Sequence, residues 1–182
     1  MPINWEKVRT DLYKWATSQI PVNMPAIFYF ENSPRPTVDY ITLYLNSIVQ
    51  IGDDYLPRPL DSPGNVQLVG NREFTLQIQG YGGDPMSVLE TLRYSLQKPT
   101  VLDTLRSNGI VFVNYFPIND ITQLVDSRFE KRAQMDILFR IAQSYSDTIG
   151  SIDTVEIQEI YEEADGTVVY DEVQTVTTVI TP

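Results

Sequence analysis

Four short patterns in this 182-residue sequence carry residue types that do chemistry. Asp53-Asp54 sets two carboxylates side by side, and paired carboxylates hydrolyse glycosides or hold magnesium. Glu163-x-Asp165-Gly166, with Glu172 six positions after the glycine, partly mimics a calcium-binding loop. Gly80-x-Gly82-Gly83 ahead of a helical segment has the makings of a phosphate cradle. Arg128, Lys131 and Arg132 form the densest basic cluster. The first three are incomplete. Adjacent acids on a loop are ordinarily just solvated. Tyr161 stands where the calcium loop needs its first carboxylate, and the flanks read as strands. The glycines match neither dinucleotide nor Walker spacing, and Asp84 at the helix start repels an anion. The chain has no histidine and no cysteine. This excludes disulfides, thiolate nucleophiles, Cys/His zinc sites, His- or Cys-ligated haem, and every Ser–His or Cys–His pair.

Charge is more informative. Thirteen Lys and Arg face 24 Asp and Glu, for a formal net charge of −11 at pH 7. Such a chain repels nucleic acid and anionic membrane over most of its surface. The charge is also uneven. Residues 151–182 hold Asp153, Glu156, Glu159, Glu162, Glu163, Asp165, Asp171 and Glu172 and no Lys or Arg, which leaves the rest of the chain close to balance. This acidic segment reads either as a solubilising face or as half of a charge-complementary contact. The basic cluster likewise reads as surface charge or as the other half. Three cations are too few for a monomer to hold duplex DNA, though a ring would multiply them. No run approaches the ~18 apolar residues of a membrane span. Met1–Lys7 lacks a basic stretch followed by an apolar one, so the expectation is an intracellular protein without a signal peptide.

The elements that must position these residues follow from periodicity. Asn4 caps a helix to about Ser18 with Trp5, Val8, Leu12 and Trp15 as its apolar stripe. A strand at Ala26–Phe30 is followed by a Pro-rich turn at 32–36 and a long strand from Val38 to Ile51. Ile41, Leu43 and Leu45 form its apolar face; Tyr40, Thr42 and Tyr44 form a partly wet face or a set of interface anchors. Residues 52–71 read as a long Pro-, Gly- and Asp-rich loop. Tyr55, Leu56 and Leu60 are its candidate partner-contacting tips, with a plain surface excursion as the alternative. Arg72–Gln79 alternates cleanly as a strand; Gly80–Gly83 is a hinge; Asp84 caps a helix to about Gln97. A short helix at Thr100–Ser107 precedes Ile110–Tyr115, apolar enough for a central strand. Residues 118–126 read as a linker or a turn of helix, and Phe129–Ser144 as the longest strand, offering a sheet edge to neighbours. From Val155 a hairpin turns at Ala164-Asp165-Gly166 and returns from Val168.

This order predicts an α+β fold: a mainly antiparallel sheet with helices packed on one face, plus a C-terminal β-hairpin arm. Residues 1–150 form the core domain, and 151–182 an acidic hairpin within it or an arm from it. Three stretches carry a family resemblance. They are Phe74-Thr-Leu-Gln-Ile-Gln-Gly80 leading into the Asp84-capped helix, Gly109-Ile-Val-Phe-Val113, and Arg132-Ala-Gln-Met-Asp-Ile137 followed by Ile152-Asp-Thr-Val-Glu-Ile157. Over about Trp5 to Ile160 the chain resembles the neck or tail terminator proteins of long-tailed bacteriophages, those with contractile tails above all. The resemblance implies a homohexameric ring on the last ring of the tail tube, which stops tube growth, meets the sheath and docks on the head-side connector. Genomic DNA would pass through its lumen without sequence-specific binding. It implies a virion protein, assembled in the host cytoplasm, with no catalytic site, cofactor or membrane contact. The other readings are a neighbouring head–tail connector or tail-completion protein, a component of a contractile injection machine, and a carboxylate-dependent enzyme. A cyclic ring needs two different complementary patches on each copy. Arg128, Lys131 and Arg132 are candidates for one, and Glu159, Glu162 and Glu163 for the other.

Overall fold

The computed structural model describes residues 2–30, 34–56, 65–148, 154–162, 164 and 168–177. Helix α1 spans Trp5–Gln19. The Asn4 side chain accepts a hydrogen bond from the Lys7 amide at 3.0 Å, which satisfies one of the helix's orphan donors. After β1 (Ala26–Phe28), β2 (Tyr40–Tyr55) and β3 (Asn65–Tyr81) come α2 (Pro85–Ser95) and α3 (Pro99–Ser107). Then follow β4 (Ile110–Tyr115), β5 (Asn119–Asp120), β6 (Gln123–Val125), β7 (Arg128–Glu130) and β8 (Arg132–Thr148). The last pair is β9 (Thr154–Glu162) and β10 (Val168–Thr177). The α+β expectation holds.

The main sheet has the order β1-β2-β3-β8-β4, with β5 also on β8. Strands β4 and β5 run antiparallel to β8, while β1 runs parallel to β2. A tight turn cannot join parallel neighbours, so the turn expected at 32–36 is not by itself the link from β1 to β2, and its residues 32 and 33 lie outside the described residues. Strands β6 and β7 form one separate hairpin, and β9 and β10 another. The chain divides into two compact units, one of Met1–Asp54 with Gly70–Gln143, the other of Tyr55–Val69 with Ser144–Pro182.

Several expectations need correction. Residues 52–71 are not one loop: β2 runs on to Tyr55 and β3 begins at Asn65. The polar run hid the strands because backbone pairing, not an apolar face, extends them. Gly52, at φ +67°, lets β2 bend, and a Cβ on Gly70 would collide with the Asp54 carboxylate. Strand β4 lies at the edge of the sheet rather than its centre, with Val111 and Val113 exposed. The long strand β8 lies inside the sheet between β3 and β4, so it is not the edge offered to neighbours. Residues 118–126 contain β5 and β6 rather than a helical turn. The strand expected from Phe129 is interrupted at Lys131, which separates β7 from β8. Tyr40 and Thr42, expected half-wet, are buried.

The core lies between α1, α2, α3 and one face of the sheet. Val8, Leu12, Trp15 and Ala16 of α1 meet Phe74, Leu76 and Ile78 of β3 and Ala133, Met135, Ile137 and Phe139 of β8. Phe139 is the hub. It stacks on Phe74 at 5.6 Å and takes edge contacts from Trp15 at 6.1 Å and Phe112 at 6.2 Å. The Trp15 indole donates to the Ser95 hydroxyl at 3.0 Å, so its one polar atom is satisfied inside the core. No helix among the described residues is long and apolar enough to cross a membrane.

Replacing Phe139 by Ala removes the shared partner of three aromatic rings, and the expected loss is about 3–5 kcal/mol of unfolding free energy, read by denaturant titration. The α2 cap gives a pH signature. Asp84 accepts from the Ser87 hydroxyl at 2.6 Å and the Ser87 amide at 3.3 Å, and these bonds hold its carboxyl below the usual aspartate value. A lowered folded-state value means the cap's stabilisation is complete above the unfolded value of about 3.9 and is lost as pH falls through the folded one. Wild type is therefore more stable than Asp84→Ala at neutral pH, and melting curves of the two converge as the medium is acidified below about pH 4.

Candidate assembly interface

The short β6–β7 hairpin carries the basic cluster. Gln123 pairs with Glu130, Leu124 with Phe129, and Val125 with Arg128 across a two-residue Asp126-Ser127 turn. Asp126 sits at φ +54°, a conformation that Asp tolerates better than most residues. Alternation along β7 sends Glu130 and Phe129 to opposite faces.

Glu130 faces the protein. Its carboxylate accepts from Arg132 Nε at 2.6 Å and pairs with the Arg132 and Arg35 guanidinium groups. Behind the two arginines, the Tyr40 and Tyr81 rings lie parallel at 4.5 Å. Arg132 stands 5.2 Å from the Tyr81 centroid, and Arg35 stands 5.7 and 5.9 Å from the two rings. Cations over aromatic faces and a shared carboxylate make one connected cluster. The Tyr81 hydroxyl donates to Gln79 at 2.7 Å, and burial pushes its pKa up from the ordinary tyrosine value. The hairpin is thereby tied through Glu130 to β2, β3 and β8.

Phe129 and Leu124 face outward, 77% and 60% exposed. Arg128 and Lys131 are also exposed, and among the described residues neither side chain makes a salt bridge or hydrogen bond. Lys131 lies close enough to Asp84 to help keep that carboxyl ionised. The predicted basic trio thus separates in role: Arg132 is half-buried with its charge committed to Glu130, while Arg128 and Lys131 are presented to solvent.

The remaining predicted contacts are scattered. Tyr55 at the end of β2 is exposed and Leu56 is half-buried. Leu60 and Glu163 lie outside the described residues. Glu159 sits in β9 directly opposite Glu172, and Glu162 opposite Val168. Sequence reasoning missed Leu124 and Phe129. Each is a single apolar residue in a polar stretch, on a strand too short to show a period. Two short β-forming runs flanking Asp-Ser were the available signal. It also missed an aromatic cluster after β1, where Tyr29, Phe30 and Tyr44 meet with ring centroids 4.6–5.9 Å apart. Phe30 is 79% exposed and held at φ +67°, a strained conformation for a bulky residue.

The structure takes apart two of the chemical motifs. Asp53 and Asp54 are strand residues on alternate faces rather than a loop dyad, and Asp54 accepts two bonds from Arg72 at 2.7 and 2.8 Å. The Asp39 carboxylate fills the space over Gly82 and Gly83, and the Gly82 amide is spent on the Lys131 carbonyl at 3.0 Å. With φ of +78° and +42°, these glycines form the turn into α2 rather than an anion cradle. Of the calcium-like pattern, Glu163 and residues 165–167 lie outside the described residues.

An exposed apolar pair flanked by free cations on an anchored hairpin is the composition of a protein contact. The sequence has a matching family assignment: the family model for phage neck terminator proteins matches residues 7–165. The chain belongs to that family. Among solved structures, the sheath/tube terminator of an extracellular contractile injection system in its extended state aligns with a TM-score of 0.45 at 10% identity. The alignment covers 90% of this terminator and 65% of the other chain, so this terminator spans just under two thirds of that protein's length. No curated protein matches the chain.

Glu130→Gln tests the anchoring of the terminator's hairpin. It leaves the half-buried Arg132 guanidinium and the exposed Arg35 guanidinium without their shared carboxylate. The expected result is a loss of about 1–2 kcal/mol, discounted for partial exposure. Amide exchange should accelerate most over residues 123–130, and uniform acceleration throughout the chain would refute the anchoring role.

Proposed function

We propose that this terminator closes into a homohexameric ring on the last ring of the tail tube, stops tube polymerisation, meets the sheath and joins the tail to the head-side connector. The observation that carries this reading is the family match, which covers 7–165 and so takes in all but the first two residues of α1, then α2, α3, the whole main sheet, the β6–β7 hairpin and β9. The physical chemistry supports it. A closed ring joins unlike patches of neighbouring copies. This chain has separate basic–apolar, aromatic and acidic regions with which to do so. DNA passes through the lumen without being gripped, because a chain of net charge −11 offers few phosphate contacts. Assembly takes place in the host cytoplasm, and the finished ring belongs to the virion neck. The protein works by binding and capping and performs no catalysis.

Light scattering on the purified chain at low and high concentration tests the proposal. The expected mass is six times 20.8 kDa, either in free solution or after recruitment to purified tail tubes. A chain that stays at 20.8 kDa at every concentration and does not bind tube ends would overturn it.

A further inference from the structure

We infer that the β6–β7 hairpin of one copy docks on the β9–β10 hairpin of the next copy, with Phe129 and Leu124 as the apolar centre and Arg128 and Lys131 facing the Glu159–Glu172 pair. The inference rests on the ring reading and names the two surfaces that close it.

The first surface is ready-made. Phe129 and Leu124 occupy directly opposed register positions and are exposed, so together they form one apolar knob. The Glu130 clamp on the opposite face fixes the knob before any partner arrives, which lowers the ordering cost of association. Phenylalanine and arginine are the residue types enriched at the centres of protein contacts. Because Arg132 is held by Glu130, two cations remain for a partner, Arg128 and Lys131.

The second surface asks for such a partner. The antiparallel register sets Glu159 opposite Glu172. Like charges directly opposed destabilise a strand pair. No Lys or Arg occurs anywhere in 151–182, so a cationic side chain for this pair can come only from outside the segment. By strand alternation, the register positions sharing that face are Tyr161 with Tyr170, Ile157 with Gln174, and Val155 with Val176. An acidic pair bracketed by aromatic and aliphatic positions is the complement of an aromatic–aliphatic knob bracketed by cations. Both surfaces are present once per chain and are different, which is the condition for a heterologous contact that propagates around a ring.

Four full-length variants test it: Arg128→Glu with Lys131→Glu; Glu159→Lys with Glu172→Lys; all four changes together; and Phe129→Ser. Each is measured by light scattering over a concentration series and several salt concentrations, with circular dichroism and a denaturation midpoint as fold controls. Either double reversal is expected to shift the mass toward 20.8 kDa, and the fourfold reversal to restore the wild-type mass. Phe129→Ser should weaken association roughly tenfold or more while leaving its salt dependence as in wild type. A wild-type ring that persists through both reversals overturns this contact and leaves the ring reading intact. An unchanged mass with a shifted midpoint overturns it by placing the two hairpins together within one chain. Failure of the fourfold reversal to rescue assembly also overturns it. A wild-type chain that never exceeds 20.8 kDa, alone or with tail tubes, overturns the ring reading and this contact with it.

Discussion

Everything presented on the terminator's surface depends on the seating of α1 against β3 and β8. Phe139, on β8, is touched by Trp15 from the helix, Phe74 from one neighbouring strand and Phe112 from the other. One ring thereby sets the spacing of helix and three strands. Because interiors are packed to near-crystalline density, a shift at this point moves all four elements together. The Trp15–Ser95 hydrogen bond adds α2 to the same block and leaves no polar cost inside it.

That rigidity is passed to the rim through charge. On the far face of the sheet, Arg35, Arg132, Glu130 and the Tyr40–Tyr81 stack join the segment before β2, the end of β3 and the start of β8 to a hairpin whose strands are three residues long. A two-stranded hairpin of that size does not hold its shape in water unaided. Here a carboxylate shared by two guanidinium groups, each lying over an aromatic ring, does the holding. The consequence is an exposed Phe129 held at a fixed place.

The sequence was most legible where burial imposes a period. The α1 stripe and the alternations of β3 and β8 were read directly, since Phe74, Leu76 and Ile78 and then Ala133, Met135, Ile137 and Phe139 all lie in the core. Caps were legible for the same local reason: Asn4 and Asp84 bind amides three residues on. Legibility failed where pairing rests on backbone or on distant partners. Residues 52–56 look like loop because Gly52, Asp53 and Asp54 are poor strand formers, yet Asp54 is held by Arg72, eighteen positions away. Strand β4 reads as central because Ile110-Val-Phe-Val is apolar throughout, while the sheet uses one face of it and leaves the other to solvent. The basic cluster was found by composition. Only geometry could show that Arg132 is already spent and that Phe129, not the arginine, is the outward-facing residue beside it.

In the proposed ring a strongly acidic chain would meet copies of itself, and the placement of its charge bears on the repulsion between them. At physiological salt the Debye length is about 8 Å, so charges on remote faces of two subunits scarcely sense one another. What counts is the charge within the contact and its immediate rim. Spread evenly, −11 would put net negative charge on both sides of every interface. Gathering eight acids into 151–182 leaves the rest of the chain close to neutral and frees Arg128 and Lys131 to dominate their surroundings. The same segregation disfavours the wrong contacts: acidic hairpin against acidic hairpin repels, as does basic hairpin against basic. Face-to-face dimers, the commonest outcome for a sticky surface, are thereby penalised relative to head-to-tail addition. Charge asymmetry along the chain would thus do for the proposed ring what apolar area alone cannot, since an apolar patch of this size would pair with itself as readily as with its complement.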